Sequence, residues 1–178
     1  MRLPESKLKL TLLTTVAVLL GAIAICQIFE WIGFPEQDQV RMIKEMAGWN
    51  KLFILTVVQV LFVMPPIEEF LFRYLLFRLP SRLISKEEPP EFFIFHFSFF
   101  IAILSSAIFS FCHYIDFQSI FAGRGFALLP ISNAFLALFY VGFAWCWLYH
   151  RTKSIWCSML SHSLFNAINL VFALTIAK

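Results

Sequence analysis

LFILTVVQVLFVMPPIEEFLFRYLLFRL, residues Leu52 to Leu79, decides what this chain can be. One bilayer crossing takes about 20 apolar residues in a helix, and this stretch supplies that length. Glu68, Glu69 and Arg73 nevertheless stand inside it. An ionisable group at membrane depth costs about 3 kcal/mol or more, so residues of this kind there point to function by default. Tyr74 to Phe77 carry the apolar run on past Arg73. The charges are therefore not the solvated end of a surface helix.

Their spacing separates the three. At about 100° per residue, Glu69 and Arg73 are four apart, share a face and can pair, while Glu68 points about 140° away from Arg73. One carboxylate is then neutralised by the arginine and the other stays free. A free carboxylate in a partly dry pocket suits general-base work. Pro65-Pro66, just ahead, interrupts helical hydrogen bonding and favours a helix start. A half-helix beginning there would carry both glutamates near its positive end.

The rest of the 178-residue sequence agrees with a membrane setting: 60% is hydrophobic, 14% is charged, and 23 positions are Phe. A soluble domain carries about 25% charged residues. Further apolar segments run from Leu8 to Phe34, within Phe92 to Phe121, from Phe126 to Tyr149 and from Ile155 to Ala177. The expected fold is all-α, a polytopic membrane bundle of about five spanning helices around a polar intramembrane cavity. Residues 1–178 form one domain with no internal repeat. Pro35 to Asn50 is polar, with Val40, Ile43 and Met46 on one helical face, and is expected to lie on the membrane surface. Pro80 to Glu91 is read as a solvated loop, and Gly123-Arg124-Gly125 as the turn that ends the third segment.

The net charge of +3 is spread over the loops. It reads as membrane orientation rather than nucleic-acid binding. Arg2, Lys7, Lys9, Arg78, Arg82, Lys86, Arg151 and Lys153 outnumber Arg41, Lys44, Lys51, Arg124 and Lys178 on the other side. The N-terminus is thus expected in the cytoplasm, in a plasma (inner) membrane. The first segment stays apolar through Ile28, Phe29 and Trp31, as a retained helix does, not a cleaved signal. Cys26, Cys112, Cys146 and Cys157 all sit in apolar runs without CxxC spacing, which speaks against a disulfide framework or a zinc site.

Two later segments bring polar groups to the same depth. Phe109-Ser110-Phe111-Cys112-His113 places a histidine in the third. A crossing that starts near Ser98, with Phe92 to Phe97 in the interface, puts His113 near mid-depth; Asp116 could orient its ring. Cys112 points about 100° from His113, so no Cys–His dyad forms on this helix. In the fifth segment His162 and Asn166 share a face, which Asn169 extends. A polar stripe on an apolar helix must meet protein or trapped water. By itself it is as easily helix–helix glue as a site. His96 and His150 are assigned no chemistry.

EExxxR, FxxxH and HxxxN, in that order on successive membrane helices and with Ser154-Ile155-Trp156 just before the last, resemble the CAAX-protease and bacteriocin-processing (CPBP, or Abi) family. That family includes the type II CAAX prenyl endopeptidases. The resemblance runs from about Leu52 to Leu170, residues 52–170 being the catalytic core. It implies an intramembrane glutamate endopeptidase without a covalent intermediate. Glu68 with His113 would activate water, His162 and Asn166 would stabilise the oxyanion, and Glu69 with Arg73 would fix the helix. No cofactor is expected. Two Glu and two His could in principle ligate zinc, but HExxH is absent and the groups come from three helices. The expected partners are the lipid bilayer and a peptide or membrane-protein substrate, prenylated or a leader or pheromone precursor; nucleic acid is not among them. The competing reading is a non-catalytic immunity, peptide-binding or scaffold protein that uses the same polar cluster. A transporter fits less well, because no repeat is visible.

Overall fold

A computed structural model describes residues 4–35, 51–80, 91–116, 119–120 and 122–176. The expected surface helix and the charged loop fall on 36–50 and 81–90, outside the described residues. So do the side chains of 91–97, and with them the interfacial placing of Phe92 to Phe97. Among the described residues there are five long helices and no strand longer than a single bridge, Ile115 with Leu128. We label them α1 (Glu5–Trp31), α2 (Lys51–Val58, Gln59–Val63, Met64–Glu69 and Phe70–Arg78 in unbroken succession), α3 (Glu91–Cys112), α4 (Phe135–Thr152) and α5 (Ile155–Ile176). Glu5–Trp31, Phe53–Arg78 and Ile155–Thr175 are each long and apolar enough to cross a bilayer, and Ser98–Cys112 is a shorter apolar helix. The protein is an all-α integral membrane bundle.

In α1 the buried residues are Thr11, Thr14, Thr15, Val18 and Ala22, one helical face of small or β-branched side chains. Each threonine returns its hydroxyl to the carbonyl four residues back, at 2.8–2.9 Å, so its polarity is satisfied within the helix. The outward residues Leu12, Leu13, Val16 and Leu20 are exposed, as lipid-facing side chains are. A side chain at Gly21 would come within 2.6 Å of the end of the Tyr140 ring, which packs over this glycine and would have to shift. Gly142 plays the same part toward α3, where an added Cβ would meet Phe109 and Ser106 at 3.1–3.3 Å. Such close approach by small residues is how helices pack where no hydrophobic effect drives them together.

The central layer is Val18, Phe72, Phe109, Val141 and Trp145, one or two from each of α1 to α4. The Phe72 and Phe109 rings meet edge-on at 5.2 Å, and Phe109 and Trp145 at 6.0 Å. Two serines of α3 anchor its neighbours through backbone carbonyls: Ser105 donates to Phe72 at 2.9 Å and Ser110 to Phe135 at 2.7 Å.

Two boundaries differ from the expectation. The third segment does not stay helical to Gly123; α3 ends at Cys112, and His113 stands one residue past it. The amides of His113, Tyr114 and Ile115 bond three residues back rather than four, which tightens the last turn and stops the helix. The chain then pairs with the return strand, through Asp116 N–H to Ala127 O and Leu129 N–H to Tyr114 O. The fourth helix starts at Phe135, not Phe126, because Ala127 to Leu129 are engaged in that pairing. Pro130 disfavours a helical residue before it, and Ser132 makes the N-terminal turn, accepting at its carbonyl from Phe135 and at its hydroxyl from Ala134. Tyr114 hydroxyl joins the Ser132 hydroxyl at 2.7 Å and locks the corner.

Candidate active site

The helix α2 does not break at the prolines; it widens. Neither Pro65 nor Pro66 has an N–H, so a regular α-ladder cannot pass them. Gln59–Val63 takes π-geometry instead, and Met64 N–H reaches back five residues to Gln59 O. A new α-turn, Met64–Glu69, starts with the prolines in its first positions, where no donor is needed. The expected half-helix is therefore the second part of a continuous helix. Short π-turns of this kind recur at functional sites.

The turn delivers the two glutamates to opposite fates. Glu69 is fully buried and meets Arg73, also fully buried, at 3.2 Å from Oε2 to Nε. Its other oxygen, Oε1, lies 3.1 Å from His162 Nδ1, across the bundle on α5. A carboxylate oxygen can only accept here, so Nδ1 carries the proton. His162 Nε2 then faces Glu68 Oε2 at 3.6 Å, an ion-pair distance rather than a hydrogen bond. Glu68 Oε2 is buried with no hydrogen-bond partner among the described residues. One carboxylate thus lies between Arg73 and His162, and the other faces the His162 ring alone among these groups.

Arg73 is caged by rings rather than by acceptors. Its guanidinium carbon sits 5.0 Å from the Phe109 centroid, 5.5 Å from Trp145 and 5.9 Å from Phe72. A cation over desolvated ring faces gains about 2 kcal/mol. The cluster of Glu68, Glu69, Arg73 and His162 is electrically neutral when the histidine holds both ring protons.

The geometry also supplies parts that no spacing in the sequence disclosed. The Trp145 indole stacks on the His162 ring, centroids 4.0 Å apart and planes 24° apart. Its N–H donates to Ser161 Oγ at 3.1 Å, and Ser161 lies 2.8 Å from the Thr15 hydroxyl. The residue next to His162 therefore fixes the indole that fixes the His162 plane, with α1 behind it. Trp145 reads in sequence as one more aromatic of an apolar helix.

Asn166 and His113 take positions of their own. Asn166 Nδ2 donates to Val60 O at 3.0 Å. In the π-turn that carbonyl would be paired with the N–H of residue 65, and residue 65 is a proline. Asn166 supplies the missing donor and ties α5 to the widened part of α2. One of its two amide hydrogens is used in this way and the other is left. His113 Nδ1 lies 2.9 Å from Phe109 O; the carbonyl accepts, so Nδ1 holds the proton and Nε2 presents a lone pair. Its ring rests on Phe109 at 4.7 Å, and Phe109 in turn lies 6.2 Å from His162. Among the described residues no ion pair or hydrogen bond joins His113 to Glu68. Asp116 is engaged by the amide and hydroxyl of Ser119 at 3.0 and 2.6 Å. The structure thus brings Glu68, Glu69, Arg73 and His162 into contact, and holds Asn166 and His113 beside them through Val60 and Phe109. Among the described residues no three His, Cys, Asp or Glu side chains are grouped as a metal site.

A family model described as type II CAAX prenyl endopeptidase Rce1-like matches residues 49–168. No curated protein and no solved structure matches the chain.

Proposed function

Because the chain belongs to the type II CAAX prenyl endopeptidase Rce1-like family, we propose that it hydrolyses a peptide bond within the membrane, using a water activated by Glu68 and His113. The observation that carries this reading is the inequality of the two glutamates. Glu69 is engaged by Arg73 and His162 together, while Glu68 faces His162 Nε2 at 3.6 Å without a hydrogen bond to its buried Oε2. A base in acyl transfer needs an unengaged lone pair and a dry setting.

In this mechanism a water molecule sits between Glu68 and the Nε2 lone pair of His113. Glu68 takes its proton as the oxygen adds to the scissile carbonyl. The negative charge that forms on the carbonyl oxygen receives N–H donors from His162 and from the second amide hydrogen of Asn166. Glu68 then returns the proton to the leaving nitrogen, and the products are a carboxylic acid and an amine, which leave as carboxylate and ammonium. Glu69, Arg73 and Trp145 hold His162 in plane and touch no substrate. The reaction needs neither metal nor cofactor. The substrates are peptides or membrane-protein tails, prenylated or leader-like, met by a core of residues 52–170 in a plasma (inner) membrane with the N-terminus in the cytoplasm.

One observation favours a second reading. Both ring nitrogens of His162 are turned toward carboxylates, and Asn166 is bonded to a backbone carbonyl, as in a purely structural polar cluster. An immunity, peptide-binding or scaffold protein could be built this way. The test is product detection by mass spectrometry in reconstituted vesicles, with a prenylated CAAX-ended peptide and an apolar leader peptide as probes. Wild type is expected to cleave at least one of them. Glu68→Gln keeps the size and polarity of the side chain but is a far weaker base, so folding and peptide binding should survive while nearly all turnover is lost. Cleavage by Glu68→Gln at the wild-type rate rejects the mechanism. No product from wild type, with biological activity that tolerates Glu68→Gln, favours the non-catalytic reading.

A further inference from the structure

The helix α1, Glu5–Trp31, lies outside residues 49–168 of the family match, yet it reaches the site through one oxygen. Ser161 Oγ of α5 accepts the indole N–H of Trp145 on α4 at 3.1 Å and lies 2.8 Å from the Thr15 hydroxyl of α1. Three helices meet at this hydroxyl, on the residue next to His162. Thr15, Trp145 and Ser161 are all buried, so no bulk water competes for these bonds.

The two hydroxyls do not keep to their own helices. A serine within a helix commonly turns to the carbonyl four residues back, as Ser106 does to Ala102 O at 2.6 Å. For Ser161 that carbonyl belongs to Cys157, but the bonds of its Oγ run to α1 and α4 instead. Thr11 and Thr14 return their hydroxyls to Lys7 O and Leu10 O; Thr15, 2.9 Å from Thr11 O, also reaches across to α5. Further along α1, Tyr140 packs over Gly21 and gives its hydroxyl to Ala17 O at 3.2 Å, which holds the register that brings Thr15 to this level. The consequence falls on His162. Its ring lies on the indole at 4.0 Å and stands between Glu69 Oε1 at 3.1 Å and Glu68 Oε2 at 3.6 Å. The imidazole cannot tilt toward the indole unless the indole gives way, and a tilt moves both nitrogens relative to the carboxylates.

We propose that Thr15 and Ser161 are positioning residues for His162, so that α1 is part of the catalytic unit and not only a membrane anchor. The Thr15 hydroxyl keeps Ser161 turned away from Cys157 O. Ser161 holds the indole N–H, and the indole holds the imidazole plane in which Nδ1 meets Glu69 and Nε2 faces Glu68. Neither positioning residue touches the substrate, so their effect belongs to turnover and not to binding.

This role presupposes peptidase activity, and the test separates the two. The probe is whichever of the two peptides named for the activity assay wild type cleaves faster. Thr15→Val keeps the shape of the side chain and removes the hydroxyl. It is expected to lower kcat about ten-fold with KM nearly unchanged, and Thr15→Ser, which restores the hydroxyl, to recover the wild-type kcat. Thr14→Val, a buried neighbour that loses only its bond to Leu10 O, should cleave like wild type. Ser161→Ala breaks the same link from α5 and should lower kcat at least as much as Thr15→Val. Because the two residues act through one chain, the double variant should be no slower than Ser161→Ala alone. In protein labelled with ¹⁵N-tryptophan, the indole N–H resonance that Trp145→Phe removes should move in Thr15→Val and return in Thr15→Ser. A wild-type kcat in Thr15→Val or Ser161→Ala, losses that multiply in the double variant, or an equal loss in Thr14→Val overturns the positioning role and leaves the peptidase standing. No cleavage of either peptide by wild type rejects both.

Discussion

Replacing Arg73 with Met tests whether the buried ion pair holds the site together. Arg73 and Glu69 are both fully buried, 3.2 Å apart, and the substitution leaves the Glu69 carboxylate with His162 as its neighbour. Breaking a buried pair from one side costs about 3–5 kcal/mol, because a charge is left without compensation. Loss of the cation from its ring cage adds up to about 2 kcal/mol, and Met returns part of this through its own contacts with Phe109 and Trp145. The expected net loss is about 4 kcal/mol, a large share of the 5–15 kcal/mol typical of a folded domain. Denaturant unfolding in dodecyl maltoside micelles, followed by tryptophan fluorescence, measures it. Glu69→Gln with Arg73→Met removes both charges, so the double variant should regain about 2 kcal/mol relative to the sum of the singles. If Arg73→Met unfolds at the wild-type denaturant concentration, or if the two single losses simply add, the pair is not what stabilises this site.

The other expectations concern single residues. Asn166→Ala should lower kcat about 10²–10³-fold through the lost oxyanion donor and also lower stability by about 1 kcal/mol through the freed Val60 carbonyl; a change in stability alone would reduce Asn166 to a clamp. Trp145→Leu should lower kcat with little change in KM, since the indole touches His162 and not the peptide, and an unchanged kcat would show that His162 keeps its plane without it. Protein purified and assayed with a strong chelator should keep full activity; stoichiometric zinc whose removal abolishes cleavage would refute the metal-free mechanism. Lys153 closes α4 in the left-handed conformation at φ 52°, so Lys153→Gly should raise stability by up to about 1 kcal/mol in the same unfolding assay, and no gain would mean the turn is not strained.

By itself the sequence determined the membrane setting, the helical class and the identity of the polar groups. Runs such as Leu8 to Phe34 and Leu52 to Leu79 are long and predominantly apolar, and only a helix satisfies its own backbone across that depth. The i, i+4 spacing fixed the Glu69–Arg73 pair, because both partners stand on one helix whose geometry is local. Only the tertiary structure decided the rest. That His162 meets Glu69 and Glu68, that Trp145 stacks on it and that Asn166 seeks Val60 depend on how α5 and α4 pack against α2, and periodicity along one chain carries no information about the face another helix presents. The end of α3 at Cys112 and the late start of α4 escaped for a related reason. Tyr114 to Asp116 pair with Ala127 to Leu129, and such long-range hydrogen bonds override the apolar run that a local reading continues as helix. The two prolines mark the boundary between the two kinds of knowledge. Their missing N–H groups are written in the sequence, but that Asn166 meets the Val60 carbonyl is a matter of what lies across the bundle.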